Sequence, residues 1–242
     1  AQTISESDLT RRIELSGHDE LAELAKTFNT MLDGLESAFA SQQRFLDDAG
    51  HELKTPITIV RGHLELLGDD PQERAETVAL VTDELDRMSR MVSELLLLAK
   101  AQHPDFLRLE RVEIADLLDE LLAKAGVLGP RSWVLEGERQ GSILADRQRL
   151  TEALMELAAN AVRHTEENDT VALGAAEEGE TARFWVRDRG VGIAPADQTA
   201  IFERFERSGT TERIDGAGLG LSIVRAIAQA HGGHVQVKSA PG

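Results

Sequence analysis

Apolar residues in the first 100 positions recur at intervals of three and four, which is the spacing of one face of an α-helix. Three such stripes follow one another, separated by a phase shift at Phe45/Leu46 and by the turn-forming sequence Gly68-Asp69-Asp70-Pro71. They predict a helix that begins after Gly17, its continuation to Leu67, and a helix with Pro71 at its first position. The stripes comprise Leu21, Leu24, Phe28, Met31, Leu35 and Ala38; Leu46, Ala49, Leu53, Ile57, Val60, Leu64 and Leu67; and Val78, Val81, Leu85, Met88, Val92, Leu95 and Ala99.

A short turn between the last two stripes predicts an αα-hairpin. One hairpin cannot enclose both stripes and the further apolar residues beside them, and each large apolar side chain left in water forfeits roughly 1.5 to 3 kcal/mol. We expect two hairpins to associate into a four-helix bundle; the alternative is coverage by the C-terminal part of the chain. The further apolar residues are Ile59, Leu66, Met91, Leu96 and Leu98.

The pattern becomes mixed after His103-Pro104, where a second domain is expected to begin. Short apolar segments predict strands over residues 132–135, 142–144, 170–173 and 182–188 and a last strand from 234. Helical periodicity predicts helices over 114–125 and 146–164, one ending at 202, and one over 219–230. The fold class is therefore multidomain: an all-α hairpin that dimerises into a four-helix bundle, followed by an α/β sandwich with helices on one face of a mixed sheet.

Composition excludes several classes of function. Lys and Arg number 26 against 43 Asp and Glu, a net charge of −17, which opposes binding to nucleic acid or anionic lipid through a basic face. The absence of cysteine excludes disulfides and thiolate metal sites. No apolar run reaches the 18 or more residues of a membrane span, so this chain is expected to be soluble.

His51 lies off the second apolar stripe, about 200° around the helix from Ala49 and Leu53, and is expected to face solvent. Glu52 follows it and Thr55 lies one turn further on, so an imidazole, a carboxylate and a hydroxyl share one surface patch. A neutral imidazole is a nucleophile, and a neighbouring carboxylate can accept its proton. The pattern alone equally suits a solvated surface histidine.

The string Phe45-Leu-Asp-Asp-Ala-Gly-His-Glu-Leu-Lys-Thr-Pro56 resembles the phosphoacceptor motif of bacterial two-component sensor histidine kinases. Gly50 stands where that family usually has Ser, and Lys54 where Arg is commoner. Neither departure removes a reacting group. The resemblance implies that His51 accepts a phosphoryl group, that Glu52 acts as base, and that Thr55 orients water for dephosphorylation of a partner.

The first stripe, from Asp19-Glu20-Leu21 through Phe28-Asn29-Thr30-Met31, resembles the second helix of a HAMP signal relay. That module joins transmembrane sensors to histidine kinases, and its first helix has no counterpart in this sequence. The resemblance therefore implies an upstream transmembrane sensor and a location on the cytoplasmic side of the bacterial inner membrane.

Three stretches of the second domain carry candidate nucleotide chemistry. Glu156 and Asn160 are four apart on one helix face, as a shared Mg²⁺ site requires, although such residues are usually only solvated. Asp188-Arg-Gly190-Val-Gly192 ends a strand, where a carboxylate can accept from an amino group; an ordinary tight turn is the alternative. Gly216-Ala-Gly218-Leu-Gly220 is suited to cradle phosphates by backbone N–H groups.

In this order the three stretches resemble the Bergerat ATP-binding domain, shared by histidine kinases, gyrase, Hsp90 and MutL. Ile201-Phe202-Glu203-Arg204-Phe205 narrows the resemblance to histidine kinases, although Phe202 and Phe205 equally suit hydrophobic packing. The implied cofactors are ATP and Mg²⁺, with a lid over residues 207–217. The implied site comprises Asn160 and Glu156 on the metal, Arg163 on phosphate, His164 beside the base, Asp188 on the adenine amino group, and Gly190, Gly192, Phe205, Gly216, Gly218, Gly220 and Leu221 around the nucleotide.

Glu156 departs from the family pattern, because histidine kinases commonly carry Asn at that position. The hydrolysing ATPases of the superfamily place a general-base Glu there. Glu156 therefore either helps to hold the metal, which we favour, or activates water.

The resemblance divides the chain into a HAMP half with a signalling helix (1–40), a dimerisation and phosphotransfer domain (41–103) and an ATP-binding domain (104–242) whose last strand is expected to be truncated. It implies a homodimeric kinase that phosphorylates His51 from Mg-ATP and passes the group to an Asp of a response-regulator receiver domain, with reverse phosphatase activity. The rival readings are an ATPase of gyrase or Hsp90 type and a catalytically silent dimeric relay.

Overall fold

A computed structural model describes residues 12–13, 20–68, 70–101, 103–179, 181–206 and 218–240. The chain divides into two compact units, residues 1–68 and 69–242. Among the described residues, no helix combines the length and the apolar character needed to cross a lipid bilayer.

The first unit contains one long helix, α1, Glu20–Glu65, of 46 residues. It runs without interruption through the phase shift at Phe45/Leu46 and through Pro56, which confirms the predicted continuation of the first helix into the second stripe. Pro56 has no N–H to donate to the Glu52 carbonyl, yet the helix continues for nine residues beyond it.

Arg12 and Ile13, which precede α1 in the chain, are hydrogen-bonded to its side. The Asn29 amide accepts a hydrogen bond from the Ile13 N–H at 2.9 Å and donates one to the Ile13 carbonyl at 2.9 Å. The Arg12 guanidinium donates to Asp33 at 2.8 Å and to Glu36 at 2.6 Å. Residues 12 and 13 are therefore held against the helix by backbone hydrogen bonds as well as by charge.

The second unit begins with α2, Pro71–Lys100. The Asp70 carboxylate accepts from the N–H groups of Gln72 and Glu73, which is the usual side-chain cap of a helix N-terminus. Pro71 is the first helical residue, as predicted, because it has no N–H that would need a partner there.

The packing of α2 explains part of the surplus of apolar residues. Its buried residues are Met91, Leu97 and Leu98, and the helix contacts α5 of the C-terminal domain. The C-terminal domain therefore accounts for part of the burial of the surplus apolar residues, which include Met91 and Leu98. The predicted stripes remain largely in contact with solvent in this single chain: Leu46, Ile57, Leu64, Val78, Leu85 and Val92 are all exposed.

The rest of the second unit is an α/β domain. After a 3₁₀ turn at Pro104–Phe106, its elements are β1 (Glu110–Glu113), α3 (Ile114–Ala125), β2 (Ser132–Gly137), β3 (Ser142–Ala145), α4 (Arg147–Arg163), β4 (Thr170–Glu178), β5 (Thr181–Arg187), a 3₁₀ turn at Ala200–Phe202 and α5 (Gly220–Ala230).

The strands form two sheets. β1 pairs with β3 antiparallel, and the second sheet has the order β2-β4-β5, with β2 parallel and β5 antiparallel to β4. The sheet is therefore mixed, as predicted. Leu173 and Ala175 of β4 join the core made by α3 and α4, and Trp185 lies across Gly174 on the neighbouring strand, where a Cβ would approach the indole to 2.2 Å.

Three predictions about the elements were wrong. The sequence did not predict β1. Only Val112 of its four residues is buried, and one buried residue gives no alternating pattern of apolar and polar residues to detect. The helix expected to end at 202 is a single 3₁₀ turn at Ala200–Phe202. The last strand is not formed within residues 234–240, where Ser239 instead bonds to the loop, its Oγ accepting from the Ile193 N–H and its carbonyl from Gln198.

Candidate functional site

His51 is exposed on α1, which confirms the orientation predicted from the apolar stripe. It lines a surface depression together with Lys54, Thr55, Thr58 and Ile59. The spacing of these residues places them on one face of the helix over two turns. A histidine nucleophile and a threonine hydroxyl therefore share one patch, while Glu52, the next residue, is half-buried.

The start of α4 is held by several hydrogen bonds. The Asp146 carboxylate accepts from the Arg149 N–H at 2.9 Å and from the Arg108 N–H at 2.8 Å. His231, at the end of α5, accepts from the Asp146 N–H at 3.0 Å through Nε2, and its Nδ1 lies 2.8 Å from the Ile227 carbonyl oxygen, to which it donates. The N-terminus of α4 and the C-terminus of α5 are thereby fixed to one another.

The helix α4 brings Glu156, Asn160 and Arg163 to one side, at intervals of four and three. Glu156 and Asn160 are half-buried and Arg163 is exposed. His164 follows as the C-cap. The first predicted stretch therefore presents two oxygen-bearing side chains and one cation along a single helical face.

Glu156 reaches the N-terminus of α5. A Cβ on Gly220 would lie 2.5 Å from Glu156 Oε2, so the carboxylate packs directly against the first residue of the helix. Burial raises the pKa of Glu156, and Arg163 opposes that rise. Mg²⁺ in nucleotide sites is commonly held by one or two protein oxygens together with phosphate oxygens, so the Glu156 carboxylate and the Asn160 amide fit such an ion. The described part of the chain contains no cluster of three His, Cys, Asp or Glu that could hold a metal alone.

Glu94 of α2 adds a second carboxylate to this end of the site, which sequence reasoning missed. Burial raises its pKa to about 7, and the charge of Glu156 adds to the rise, while Arg163 and Arg90 oppose it. Nothing local in the sequence of α2 distinguishes Glu94 from its solvated neighbours. Only the packing of α2 against the domain buries it within reach of the Glu156 charge.

Replacement of Glu94 by Gln is expected to stabilise the nucleotide-free protein at pH 8 by on the order of 1 kcal/mol, after allowance for solvent screening, and to leave it nearly unchanged at about pH 4. The folded-state pKa of about 7 lies above the ordinary value of 4.5, so the stability that the protonated carboxyl provides is complete below pH 4.5 and is lost as the pH rises through 7. Thermal unfolding of both proteins at the two pH values measures this. An equal shift at both would show that Glu94 titrates normally.

Asp188 follows β5 directly, and its side chain shapes the turn after the strand. Its Oδ1 accepts from the Gly190 N–H at 2.8 Å. A Cβ on Gly190 would lie 2.1 Å from the His164 carbonyl oxygen, so the turn is packed against the end of α4. The structure therefore brings the first and second predicted stretches into direct contact, with Asp188 exposed beside them.

Substitution of Gly190 by Ala is expected to lower ATP affinity at least tenfold and the free energy of unfolding by about 1 to 3 kcal/mol. The added methyl meets a backbone atom, so either the turn or the end of α4 must move. Gly126→Ala is a matched control, because its nearest neighbour would be the Leu122 carbonyl oxygen at 3.6 Å. Calorimetric titration with ATP measures both variants, and unchanged affinity in Gly190→Ala would show that this contact does not shape the site.

Gly192 has φ of 73°, a left-handed conformation that glycine adopts without strain. The next residue, Ile193, donates its N–H to Ser239 Oγ at 2.8 Å. This bond fixes the far end of the Asp188 loop.

The third predicted stretch is described in part. Gly216 and the expected lid over residues 207–217 lie outside the described residues. The residues on either side of the lid are described. On those flanks the Phe205 N–H donates to the Gly218 carbonyl at 2.9 Å, and a Cβ on Gly218 would meet the Phe205 backbone at 2.9 Å. Phe205 has φ of 62°, which is unusual for an aromatic residue and marks local backbone strain. Gly220 and Leu221 begin α5.

Three family models match the chain in succession. Residues 1–37 match the HAMP domain, residues 41–104 the His Kinase A (phospho-acceptor) domain, and residues 145–242 the histidine kinase-, DNA gyrase B- and HSP90-like ATPases. His51 lies in the second match, and Glu156, Asn160 and Asp188 lie in the third.

The chain belongs to the two-component sensor histidine kinases.

Individual relatives agree with this assignment to the sensor histidine kinases. The Streptomyces coelicolor sensor protein CutS is 36% identical over the whole chain and 60% of its own length. The histidine-protein kinase/phosphatase MprB of Mycolicibacterium vanbaalenii is 32% identical over 98% of this chain and 51% of its own. The solved structure of full-length ShkA with AMPPNP is 31% identical, with a TM-score of 0.58 over 85% of this chain and 42% of that protein. The chain thus spans about half the length of the curated relatives that it matches.

Proposed function

We propose that this histidine kinase chain transfers the γ-phosphoryl group of Mg-ATP to His51. The observation that carries the proposal is the exposure of His51 on α1 in a chain whose C-terminal domain assembles Asn160, Arg163, His164 and Asp188 at one end of α4. The order of the three family matches supports it. ShkA, with its bound ATP analogue, supports ATP as the nucleotide.

The transfer needs a nucleophile, a base and a leaving group. The lone pair of one His51 ring nitrogen forms the N–P bond while the bond from the γ-phosphorus to the bridging oxygen breaks, and ADP leaves. The proton on the other ring nitrogen passes to the Glu52 carboxylate. His51 needs no unusual environment for this, because a neutral imidazole at an exposed position already presents a free lone pair.

The nucleotide is held by residues of the second unit. The Asp188 carboxylate accepts from the adenine amino group with the capacity left after its bond to the Gly190 N–H. Asn160 and Glu156 bind Mg²⁺, which neutralises charge on the phosphates when bound. Arg163 is exposed and its charge acts on Glu156, so its guanidinium is placed to contact phosphate beside the metal.

Two copies of the chain associate through the apolar stripes of α1 and α2. The exposure of Leu46, Ile57, Val78 and Leu85 supports this, since a four-helix bundle would cover them. The HAMP match supports attachment of the whole protein to an upstream transmembrane sensor.

The phosphorylated His51 then passes its group to an Asp of a response-regulator receiver domain. The same face also carries the reverse activity, in which Thr55 orients water against the phosphorylated regulator. The shared depression of His51 and Thr55 supports this assignment, as does the similarity to MprB, a histidine-protein kinase/phosphatase.

For Thr55→Ala we expect His51 labelling within about twofold of wild type and dephosphorylation of the regulator at least tenfold slower. The lost hydroxyl aligns water and plays no part in the attack by imidazole. Thr58→Ala is the matched control, because Thr58 lines the same depression but donates its hydroxyl to the Lys54 carbonyl at 2.9 Å. Equal phosphatase rates in wild type and Thr55→Ala would remove Thr55 from this role.

A second function, ATP hydrolysis, has one observation in its favour: burial raises the pKa of Glu156, as suits a general base, at a position where the resemblance implies one in the hydrolysing ATPases. We assign Glu156 to the metal because His51 provides the competing acceptor. If Glu156→Gln abolished phosphate release but kept His51 labelling, the general-base role would replace the metal role.

Incubation of the chain with Mg²⁺ and γ-labelled ATP tests the proposal. The account predicts protein-bound label that survives alkali and is lost in acid, the behaviour of phosphohistidine. Release of labelled phosphate without protein-bound label would support the ATPase, and neither label nor release would support a silent relay.

A further inference from the structure

Arg131 lies outside the predicted stretches, yet it makes more side-chain hydrogen bonds than the residues that form the candidate site. It stands just before β2, on the chain segment Gly129-Pro130-Arg131. All three of its guanidinium nitrogens donate. Nε donates to Thr165 Oγ1 at 2.8 Å, Nη2 to the carbonyls of Val162 at 2.9 Å and Thr165 at 2.7 Å, and Nη1 to the Pro130 carbonyl at 3.3 Å.

Apart from the Pro130 carbonyl, these acceptors belong to the end of α4 and to the turn that follows it. The last carbonyls of a helix have no partner within the helix, and a cation is favoured beside them by the helix dipole. Arg131 supplies both the donors and the charge at the Val162 carbonyl and in the turn that follows. Thr165 extends the arrangement, since its hydroxyl donates to the Ala161 carbonyl at 2.7 Å while it accepts from Arg131.

Arg131 is itself firmly placed by the sheet. The Ser132 N–H donates to the Asp169 carbonyl at 2.8 Å, where β2 pairs with β4, and the Asn168 N–H donates to the Pro130 carbonyl at 2.9 Å. A Cβ on Gly129 would lie 3.1 Å from the Val162 side chain, so this segment also packs directly against α4. The guanidinium is thus a rigid link between the sheet and the end of α4.

The link ends at the adenine-binding groups. His164 lies between the two carbonyls that Arg131 binds, and its own carbonyl is the atom packed against Gly190. The Gly190 N–H in turn donates to Asp188 Oδ1. A shift of the turn at residues 162–165 would therefore move the Gly190 turn and the direction of the Asp188 carboxylate.

We infer that Arg131 is a positioning residue that sets the affinity and the base selectivity of the nucleotide site by holding the turn at residues 162–165 against Gly190. The inference rests on the proposed function of Asp188 as the adenine contact. A well-placed carboxylate accepts from the amino group of adenine and repels the carbonyl that guanine has in its place, so its direction determines how strongly ATP is preferred over GTP.

The test compares Arg131→Gln, Arg131→Lys and Arg139→Gln with wild type. Arg139→Gln is a matched control with the same change of charge, because Arg139 forms an exposed ion pair with Asp119 on the same domain. Dissociation constants for ATP and GTP are measured by competition with a fluorescent ATP analogue, and melting temperatures are measured without nucleotide. The KM and kcat of His51 labelling are measured for the same four proteins.

For Arg131→Gln we expect an ATP dissociation constant and a KM for ATP about tenfold higher, a preference for ATP over GTP about tenfold lower, and kcat at saturating ATP within twofold of wild type. Arg131→Lys should recover part of the selectivity, since an ammonium can still donate to the carbonyls of Val162 and Thr165. Arg139→Gln should match wild type.

A lower melting temperature with unchanged selectivity in both Arg131 variants would overturn the inference, because it would show a purely structural role. If Arg131→Gln does not fold, the Arg131→Lys measurement decides alone, and unchanged selectivity there overturns the inference equally. Failure of wild type to label His51 would instead contradict the proposed kinase function, while the binding measurements would still test Arg131.

Discussion

His51→Gln is expected to abolish phosphoryl labelling of the protein, with a residual rate roughly 1,000-fold or more below wild type. The substitution removes the ring nitrogen that attacks phosphorus, and an amide has no comparable nucleophile. Because His51 is exposed on one face of a long helix, Gln fits without repacking, and it is a good helix former. Nucleotide affinity should stay within twofold, since the residues assigned to ATP belong to the other unit.

The matched control for this prediction is His63→Gln, the same change twelve residues further along the same helix. His63 is half-buried and does not line the depression that contains His51. It should label like wild type. Full labelling of His51→Gln would show that the label does not depend on a nucleophile at position 51, and loss of label in both variants would show that the effect of His51→Gln is not specific to that position.

Asp188→Asn is expected to weaken ATP binding by roughly 100-fold, or about 2.7 kcal/mol, and to weaken GTP binding far less. Asn can still accept from the Gly190 N–H through its carbonyl oxygen, so the turn survives. Its amide nitrogen, however, faces the adenine amino group as a second donor, and one charge-assisted hydrogen bond is lost. The measurement is calorimetric titration with each nucleotide.

Asp197→Asn controls for the change of charge, because Asp197 lies in the loop that follows the same strand and has no assigned contact with nucleotide. Its ATP affinity should match wild type. Equal losses for ATP and GTP in Asp188→Asn would show that the carboxylate supports the fold of the site and does not read the base.

The helical part of the fold was predictable from local sequence because its determinants are local. Asp70 and Pro71 mark the start of α2 through a side-chain cap and a missing N–H, and both operate within one helical turn. The orientation of His51 followed from the same kind of reasoning, since the phase of an apolar stripe fixes which side chains it leaves exposed.

The features that sequence reasoning missed depend on contacts between distant segments. β1 has one buried residue and exists because β3 pairs with it, and the segment from residue 234 bonds to a loop instead of extending a ladder. Glu94 and Arg131 have the same character: a carboxylate on α2 and a guanidinium before β2 look solvated until the fold places them beside α4.

The candidate site also divides into features set by local sequence and features set by contacts between distant segments. The placement of Asn160, Arg163 and His164 at the end of one helix was predictable from helical spacing, and that of Asp188 from the strand that ends beside it, whereas their roles toward a nucleotide come from the resemblance and stay predictions. The contact of Gly190 with the His164 carbonyl joins two segments, and the glycine pattern indicates only that some backbone comes close there.

The most direct test of the account is to find where the phosphoryl group resides. The protein is incubated with Mg-ATP, digested under alkaline conditions that preserve phosphohistidine, and its peptides are mapped by mass spectrometry. Seven histidines compete for the modification, and the account predicts a phosphoryl group at His51 alone. Phosphate on another residue, or unmodified peptides from a sample that has turned ATP into ADP, would contradict it.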